Sequence, residues 1–413
     1  MKYVIATVLL MTALAFGQTW VVEQVDSTAA SGSPVELVKV TDGRLWAAYQ
    51  TDSGVVRVAC LGDSGWRMTD VCSGNLATST FSRPFLAAGP HGEVCLSCSR
   101  SDSGWIYRLM QDTWRGEPYP FLNATTSGTV AYDTAGRLYS SYAPSGGVFW
   151  VGHETDSGWT SGFVVSFTVY GYFWVDIGLL AVAGDGSPWF FGYGFYDDGP
   201  YHHGEEVGLM HFDGDTWARV WGRTDSAPVP VGLTPHGAGV GVLTDDGSIR
   251  CDSEPITSIS DITVAGLAYS AEDVPLVAWV PLYSQAAPML AFKTNRWHAE
   301  SIPGPAGIGG LDVEVDTAGQ VVIVYSTQDS GLWCARGTDV VGVEEPPEPQ
   351  APTRTLEPTI LSLASGVKRL ASSVVFDAMG RRVTDPQPGV YFVRDQGRGV
   401  GDARSTRKVI IQK

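Results

Sequence analysis

The stretch Asp42-Gly-Arg-Leu-Trp-Ala-Ala-Tyr49 joins a turn that contains glycine to a short apolar run, and the same pattern recurs along the chain. Glycine supplies the positive φ that tight hairpin turns need, and the apolar run has the length of a β-strand. Four later segments repeat it: His91-Gly-Glu-Val-Cys-Leu-Ser-Cys98, Ala135-Gly-Arg-Leu-Tyr-Ser-Ser-Tyr142, Asp185-Gly-Ser-Pro-Trp-Phe-Phe-Gly192 and Ala318-Gly-Gln-Val-Val-Ile-Val-Tyr325. Repeats of about 40 to 50 residues are typical of propellers and solenoids.

A tryptophan marks the fourth strand of all but one of the repeats. The marked positions are Trp20, Trp66, Trp114, Trp159, Trp217 and Trp297. The wide interval between the last two predicts one further unit without its tryptophan, from about Val229 to Thr257, with a fourth strand near Ile256. The count is therefore seven blades. Six or eight blades remain open at this stage, because the unit without a tryptophan is short.

The two ends of the repeat region complement each other. After Trp297 the pattern supplies only three strands, around Leu311–Val315, Val321–Tyr325 and Leu332–Ala335, whereas Gln18–Val25 matches a fourth strand that stands alone. Closing a ring in this way removes the exposed sheet edges. The sequence therefore predicts an all-β fold with a seven-bladed β-propeller over residues 18–341.

Composition limits the classes of function. The chain has 413 residues, of which 44% are apolar and 17% charged, so it can build a large core. Its net charge is −17, and residues 1–350 contain 16 basic against 39 acidic side chains. Nucleic-acid affinity depends on basic side chains that release counterions. We therefore expect no nucleic acid among the partners.

The N-terminus has the features of a signal peptide. Met1-Lys2 precedes an apolar run from Tyr3 to Phe16, and small residues follow in Ala15-Phe16-Gly17, which predicts cleavage before Gln18. A second apolar stretch, Gly162–Gly184, is long enough to span a membrane. It is rich in β-branched and aromatic residues and falls across two strands of a repeat, so we predict no transmembrane segment in the mature chain.

The cysteines follow the repeat as well. Cys95-Leu-Ser-Cys98 has the two-residue spacing of metal and redox motifs. Within a strand, however, positions three apart face opposite ways. The spacing therefore predicts two buried thiols and not a metal site, and the sequence alone leaves the pairing of the six cysteines open.

A second domain follows the propeller. Residues 342–356 are rich in Pro and Glu and predict an extended linker. Residues 357–413 contain three stretches of alternating apolar and polar residues, which predict a small C-terminal β-sandwich. These stretches are Val374–Val383, Gly389–Arg394 and Thr406–Lys413.

Two resemblances accompany this organisation. Trp20-Val-Val-Glu-Gln-Val-Asp-Ser27 and Leu311-Asp-Val-Glu-Val-Asp-Thr-Ala-Gly319 resemble the blade repeats of bacterial extracellular β-propeller proteins. The C-terminal domain resembles the type A sorting domain of the type IX secretion system. That family's pattern fits Phe376, Asp377, Gly380, Arg381, Gly389, Val390, Tyr391, Phe392, Arg394, Lys408 and Val409.

The second resemblance implies a route of export. It implies contact with the type IX secretion machinery and passage through the outer membrane of a Gram-negative bacterium, with release or attachment at the cell surface. The insert Asp395–Ser405 departs from the family pattern before the last strand. The alternative is an adhesive sandwich domain that stays on the protein.

An insertion in the fourth unit, Gly194–Glu206, is the best local candidate for a site, because in propellers the connection between second and third strands lies on the face where ligands bind. Side chains that suit sugar stacking and hydrogen bonding are Phe195, Tyr196, Tyr201, His202, His203 and Glu205. Candidate metal ligands are Asp197, Asp198 and Glu206, with calcium as the candidate ion. A solvated loop without a ligand is the alternative, and no cofactor is indicated.

The function predicted from these features is recognition of an extracellular glycan or protein without catalysis. Turns such as Asp63-Ser-Gly-Trp66 resemble a shortened Asp-box of sialidase propellers, in which the turn is structural. A sialidase also needs an arginine cluster with a nucleophile and a carboxylate partner. That set is not recognisable in the sequence, so a sialidase-like glycoside hydrolase is the alternative, together with a purely structural surface component.

Overall fold

The computed structural model describes most of the chain between residues 19 and 338. The described ranges are 9–11, 19–73, 84–100, 103–119, 128–142, 148–166, 172–197, 203–224, 230–244, 248–251, 254–258, 262–281, 287–293, 297–327, 329, 331–338, 359–362, 373–376, 389–395 and 406–412. Within these ranges there are 33 β-strands and no helix. The chain divides into two compact units, Met1–Gly342 and Val343–Lys413.

The first unit is a ring of seven antiparallel sheets, the blades of a propeller. Its first two strands are β1 (Leu9–Met11) and β2 (Thr19–Asp26). Blade 1 consists of β3 (Glu36–Lys39), β4 (Leu45–Gln50), β5 (Val55–Gly62) and β6 (Gly65–Ser73). Blade 2 consists of β7 (Phe85–Ala88), β8 (Val94–Arg100), β9 (Ser103–Met110) and β10 (Thr113–Pro118).

The next two blades repeat this order. Blade 3 consists of β11 (Val130–Tyr132), β12 (Leu138–Tyr142), β13 (Val148–Thr155) and β14 (Gly158–Ser166). Blade 4 consists of β15 (Tyr172–Val182), β16 (Pro188–Asp197), β17 (His203–Phe212) and β18 (Trp217–Thr224). The apolar stretch Gly162–Gly184 is thus shared by two strands, as predicted.

The last three blades include the one without a tryptophan. Blade 5 consists of β19 (Pro230–His236), β20 (Gly239–Thr244), β21 (Ser248–Cys251) and β22 (Glu254–Ser258). Blade 6 consists of β23 (Ile262–Tyr269), β24 (Pro275–Pro281), β25 (Met289–Lys293) and β26 (Trp297–Ser301). Blade 7 begins with β27 (Gly307–Val315), β28 (Val321–Thr327) and β29 (Leu332–Thr338).

The fourth strand of blade 7 comes from the N-terminal part of the chain. β2 pairs antiparallel with β29, with Trp20 opposite Gly337 and Val22 opposite Ala335. The seven-bladed all-β fold is therefore confirmed, and the alternatives of six or eight blades are excluded. β1, which lies inside the predicted signal peptide, pairs with β2 as a fifth strand of the same sheet.

The hairpin between the first and second strand of a blade is stabilised by an aspartate at several turns. The Asp133 carboxylate accepts hydrogen bonds from the backbone N–H groups of Ala135 and Arg137, at 2.9 and 2.8 Å. Gly136 follows with φ of 81°, a conformation that residues with a Cβ rarely adopt. Asp316 makes the equivalent bonds, which explains why Asp and Gly mark these turns in the sequence.

The cores lie between neighbouring blades. The described buried side chains form seven clusters, and the second strands are buried along almost their whole length because both of their faces are covered. The fourth-strand tryptophans enter these clusters from the outer edge: Trp66 packs between blades 7 and 1, and Trp114 between blades 1 and 2. Trp46 meets Trp114 edge to face, with centroids 6.1 Å apart.

Blade 5 compensates for its missing tryptophan with aromatic residues of blade 4. Trp189 and Phe191 fill the cluster between these two blades, and Trp221 packs against it. The Phe191 and Trp221 rings lie with centroids 5.9 Å apart. The interface thus keeps its aromatic filling although the sequence pattern is interrupted.

The second unit contains one four-stranded sheet in its described residues. Its strands are β30 (Thr359–Ser362), β31 (Ser373–Phe376), β32 (Gly389–Asp395) and β33 (Thr406–Gln412). Their order is β30-β33-β32-β31, with β30 parallel to β33. The sequence pattern predicts the last three of these strands but not β30. The predicted sandwich is not confirmed, because the described strands form a single layer.

Candidate functional site

Blade 4 is extended on the face of the propeller where second and third strands connect. Its first three strands contain 11, 10 and 10 residues, and each is longer than the corresponding strand of any other blade in the described chain. The extra length lies at residues 172–175, 194–197 and 203–206. We call these three segments the blade-4 ribbon.

The strand register arranges the blade-4 ribbon in rows. Alternate positions of a strand share a face. Two rows of directly paired positions therefore fall on one face. The first row is Tyr172, Asp197 and His203, and the second row is Trp174, Phe195 and Glu205. The row between them falls on the other face: Phe173, Tyr196 and Gly204. One face thus combines three aromatic positions with two acidic positions and a histidine.

This arrangement changes the expectation for the insertion in the fourth unit. The sequence predicts a connecting loop in this insertion, whereas strands continue through most of it. Of the predicted ligand-binding and metal-binding residues, the strands hold Phe195, Tyr196, Asp197, His203, Glu205 and Glu206. Asp198, Tyr201 and His202 lie outside the described residues. Tyr172 and Trp174 are added to the candidate site because they pair with Asp197 and Phe195 on the neighbouring strand. The periodicity of the sequence does not give this pairing.

The Glu206 carboxylate already has a protein partner. It accepts a hydrogen bond from Nη2 of Arg219, on the neighbouring strand β18. A metal ion at Glu206 would therefore compete with an arginine. Among the side chains that the structure describes, no three His, Cys, Asp or Glu residues come together as a possible metal site.

A second candidate is the channel along the propeller axis, which we call the central channel. It is lined by the innermost strand of every blade and has a volume of about 300 Å³. Most of its lining residues are aliphatic, but Glu36, Lys39, Asp312 and Glu314 add charge on the side where blades 7 and 1 meet. The alternation in Leu311-Asp-Val-Glu-Val315 is the sequence signal that would have indicated the two acids.

Two of these charged groups serve the joint between the first and last blades. Oδ2 of Asp312 accepts a hydrogen bond from the backbone N–H of Leu37 at 2.8 Å, and Oδ1 accepts one from the N–H of Val313 at 2.8 Å. Nζ of Lys39 donates to the carbonyl oxygen of Val315 at 2.6 Å. Their polar atoms are therefore engaged with backbone groups.

Glu314, on the same strand as Asp312, is a carboxyl group with a raised pKa. Its side chain is half-buried, with strands around it and part of its surface toward the central channel. Burial raises the pKa of Glu314 to about 7, although the nearby Lys39 ammonium acts in the opposite direction. A carboxyl group of this kind can hold or release a proton near neutral pH. Glycoside hydrolysis needs a second carboxylate. The other acids that line the channel are Glu36 and Asp312, and the Asp312 carboxylate is held by two backbone amides.

The arginines that a sialidase-like centre would need are not gathered at the channel in the described part of the chain. Arg108 pairs with Glu154 at 2.6 Å and with Glu117 at 3.3 Å, between blades 2 and 3. Of the two other arginines that the sequence places near Arg108, Arg83 lies outside the described residues, and the side chain of Arg100 is not described. The described residues therefore give the hydrolase alternative no catalytic set.

No helix among the described residues has the length and apolar character needed to cross a lipid bilayer. The apolar segment Gly162–Gly184 contributes to β14 and β15.

Comparison with known proteins returns similar folds at low identity. No protein-family model and no curated protein matches the chain. Among solved structures, AofleA from Arthrobotrys oligospora is similar with 10% identity over 77% of this chain and 85% of that chain, at a TM-score of 0.44. A mutant Aleuria aurantia lectin in complex with Fucα1-6GlcNAc shows 11% identity over 75% and 93%, at a TM-score of 0.43.

A third similar structure is an enzyme. Penicillium chrysogenum α-L-arabinanase complexed with arabinobiose shows 12% identity over 80% of this chain and 98% of that chain, at a TM-score of 0.45. At such identities and TM-scores the architecture of this chain rests on its own sheet topology, in which seven blades close through β2.

Proposed function

We propose that this chain is an exported β-propeller that recognises an extracellular glycan without catalysis, and that the blade-4 ribbon holds the sugar. The observation that supports this most directly is the row arrangement on one ribbon face. Aromatic positions at Tyr172, Trp174 and Phe195 offer stacking surface, and Asp197, His203 and Glu205 offer hydrogen-bonding groups. Sugars present apolar ring faces and hydroxyl groups, so both are needed together.

The proposal of export rests on the two ends of the chain. The signal-peptide pattern of residues 1–17 supports entry into the export pathway. In the second unit, two residues of the sorting pattern, Phe392 and Lys408, are direct partners across β32 and β33. Gly389, Tyr391 and Arg394 lie on the same strand β32, while Gly380 and Arg381 lie outside the described residues. A secreted form whose sequence begins at Gln18 and lacks the sorting domain, residues 357–413, is the expected product in a Gram-negative host with type IX secretion.

The ribbon proposal is tested with the full chain on a glycan array, followed by titration of each glycan retained. Trp174→Ala should weaken binding about tenfold or more, which corresponds to about 1.4 kcal/mol. Phe173→Ala is the matched control, because it removes an aromatic ring from the adjacent position on the opposite face. Its affinity should stay within about twofold of the parent.

Three outcomes would contradict the proposal. Turnover of chromogenic glycosides would replace recognition by hydrolysis. Equal losses in Trp174→Ala and Phe173→Ala would remove the ribbon face as the site. Retention of no glycan by a folded chain would shift the assignment to a protein partner or a structural surface role.

A further inference from the structure

Two cysteines of neighbouring blades meet in the interface between blades 1 and 2. Cys72 lies on β6, the outermost strand of blade 1, and Cys98 lies on β8, the second strand of blade 2. Their Sγ atoms are 3.5 Å apart. Both side chains belong to the apolar cluster between blades 1 and 2. Cys98 is fully buried, whereas Cys72 is half-buried and is therefore the one that solvent can reach.

The position of Cys98 is specific to this contact. Cys95, three residues earlier on the same strand, belongs to the opposite face and packs between blades 2 and 3. Both are buried, which agrees with the sequence analysis. Cys334 lies in a third interface, between blades 7 and 1. Among the cysteine side chains that the structure describes, the pair of Cys72 and Cys98 is thus the one whose sulfur atoms are in contact.

We propose that Cys72 and Cys98 are the site of a disulfide bond that fastens blade 1 to blade 2. The S–S distance in a disulfide is about 2.05 Å, so the two sulfur atoms need to approach by about 1.5 Å. The oxidant is a second disulfide, of a thiol–disulfide oxidoreductase or a small molecule. The Cys72 thiolate attacks one sulfur of this disulfide, which forms a mixed disulfide and releases the first thiol of the oxidant. The Cys98 thiolate then attacks the Cys72 sulfur, which forms the Cys72–Cys98 bond and releases the second thiol of the oxidant. Two thiols lose two protons and two electrons, and the oxidant leaves as two thiols.

The disulfide would link two blades that are not joined by strand pairing. Blade 7 is closed by hydrogen bonds between β2 and β29, whereas blades 1 and 2 meet through side chains. The two cysteines are 26 positions apart in the chain. Linking them restricts the unfolded chain and so stabilises the folded ring.

The test uses the full chain, purified with reduced thiols and then incubated with oxidised glutathione. Arg83 precedes Pro84 and resists trypsin, so combined digestion with trypsin and Glu-C is needed; cleavage after Glu93 separates Cys72 from the peptide Val94–Arg100. We expect these two peptides to be joined, with a mass loss of two hydrogen atoms. The oxidised chain should also melt several degrees above the reduced chain.

Matched variants show whether Cys95 or Cys98 is the partner of Cys72. Cys95→Ala should keep the linked peptides, because Cys95 lies on the opposite face of the strand. Cys98→Ala and Cys72→Ala should each abolish them and the gain in melting temperature. Cys72 is half-buried, so the second variant answers the question even where the first does not fold. Linkage through Cys95, glutathione adducts without a linked pair, or thiols that stay reduced would each overturn the proposal.

Discussion

At the scale of single residues, Glu314 makes a contribution of its own to the change of propeller stability with pH. Burial raises its pKa to about 7 in the folded chain, against 4.5 for the ordinary side chain. The folded state therefore binds this proton more tightly than the unfolded state. The proton on Glu314 therefore adds to the free energy of unfolding. This stabilisation is fully present below pH 4.5 and is lost as the pH rises through 7.

Glu314→Gln should remove this dependence. Because the side chain is partly open to the channel, the expected effect is a gain of about 1–2 kcal/mol at pH 8 relative to the parent. Little gain is expected at pH 5, where the parent carries the proton as well. Urea unfolding at both pH values measures the difference. The exposed Glu272→Gln serves as control, and an equal change at both pH values would contradict the raised pKa.

The channel charges also show what one sequence leaves undecided. The turn residues at Asp133 and Gly136 could be predicted, since an aspartate that binds backbone amides and a glycine with positive φ act within a few residues. The alternation at Asp312 and Glu314 was visible as well. Whether such a side chain faces solvent or the central channel depends on whether its strand is the innermost or an outer strand of the blade. The alternation in the sequence does not give this position; the assembled ring does.

At the scale of elements, the joint between β2 and blade 1 depends on a buried aspartate. Asp26, at the end of β2, accepts hydrogen bonds from Tyr49 Oη at 2.6 Å and from Arg57 Nη1 at 2.8 Å. It is 7% exposed. Burial alone would raise the pKa of Asp26, but the hydrogen bonds from Tyr49, Thr28 and Arg57 outweigh it and hold the pKa below its ordinary value.

Asp26→Ala should destabilise the propeller by about 2–3 kcal/mol, because it leaves the Tyr49 hydroxyl and one arm of Arg57 without their buried acceptor. The measurement is chemical unfolding at pH 7. Asp63→Ala, at an exposed turn of the same blade, should cost less than about 0.5 kcal/mol. Similar costs for the two variants would show that Asp26 does not hold the joint.

The role of β2 as a closing strand was predictable, whereas the burial of Asp26 was not. Trp20 and Val22 alternate toward the core as a sequence pattern requires. The register then shifts between Gln24 and Asp26, so Val25 and Asp26 are both buried. A bulge of this kind breaks the period of two, and it depends on the partner strand, not on the residues of β2 alone. The rows of the blade-4 ribbon could not be predicted for the same reason, because they depend on how β15, β16 and β17 pair.

At the scale of the whole molecule, the ring is closed by a single strand, β2, which precedes the first blade in the sequence. β2 fills the outer edge of blade 7, Trp20 is 1% exposed, and its Nε1 donates to Glu300 of blade 6 at 3.2 Å. Removal of residues 1–26 should leave β29 as an unpaired edge and open the interface between blades 6 and 7. We expect the truncated chain to lose its cooperative thermal transition and to associate through that edge.

A peptide of residues 18–27 should restore the ring when it is added to the truncated chain, because it carries every position that pairs with β29. The same peptide with Trp20→Asp is the control: it keeps the backbone hydrogen bonds but places a charge at the most buried position of the strand. Calorimetry with increasing peptide should show the transition return for the natural peptide only. Rescue by both peptides would mean that backbone pairing alone closes the ring. A truncated chain that melts like the parent would mean that the other six junctions hold the propeller without closure.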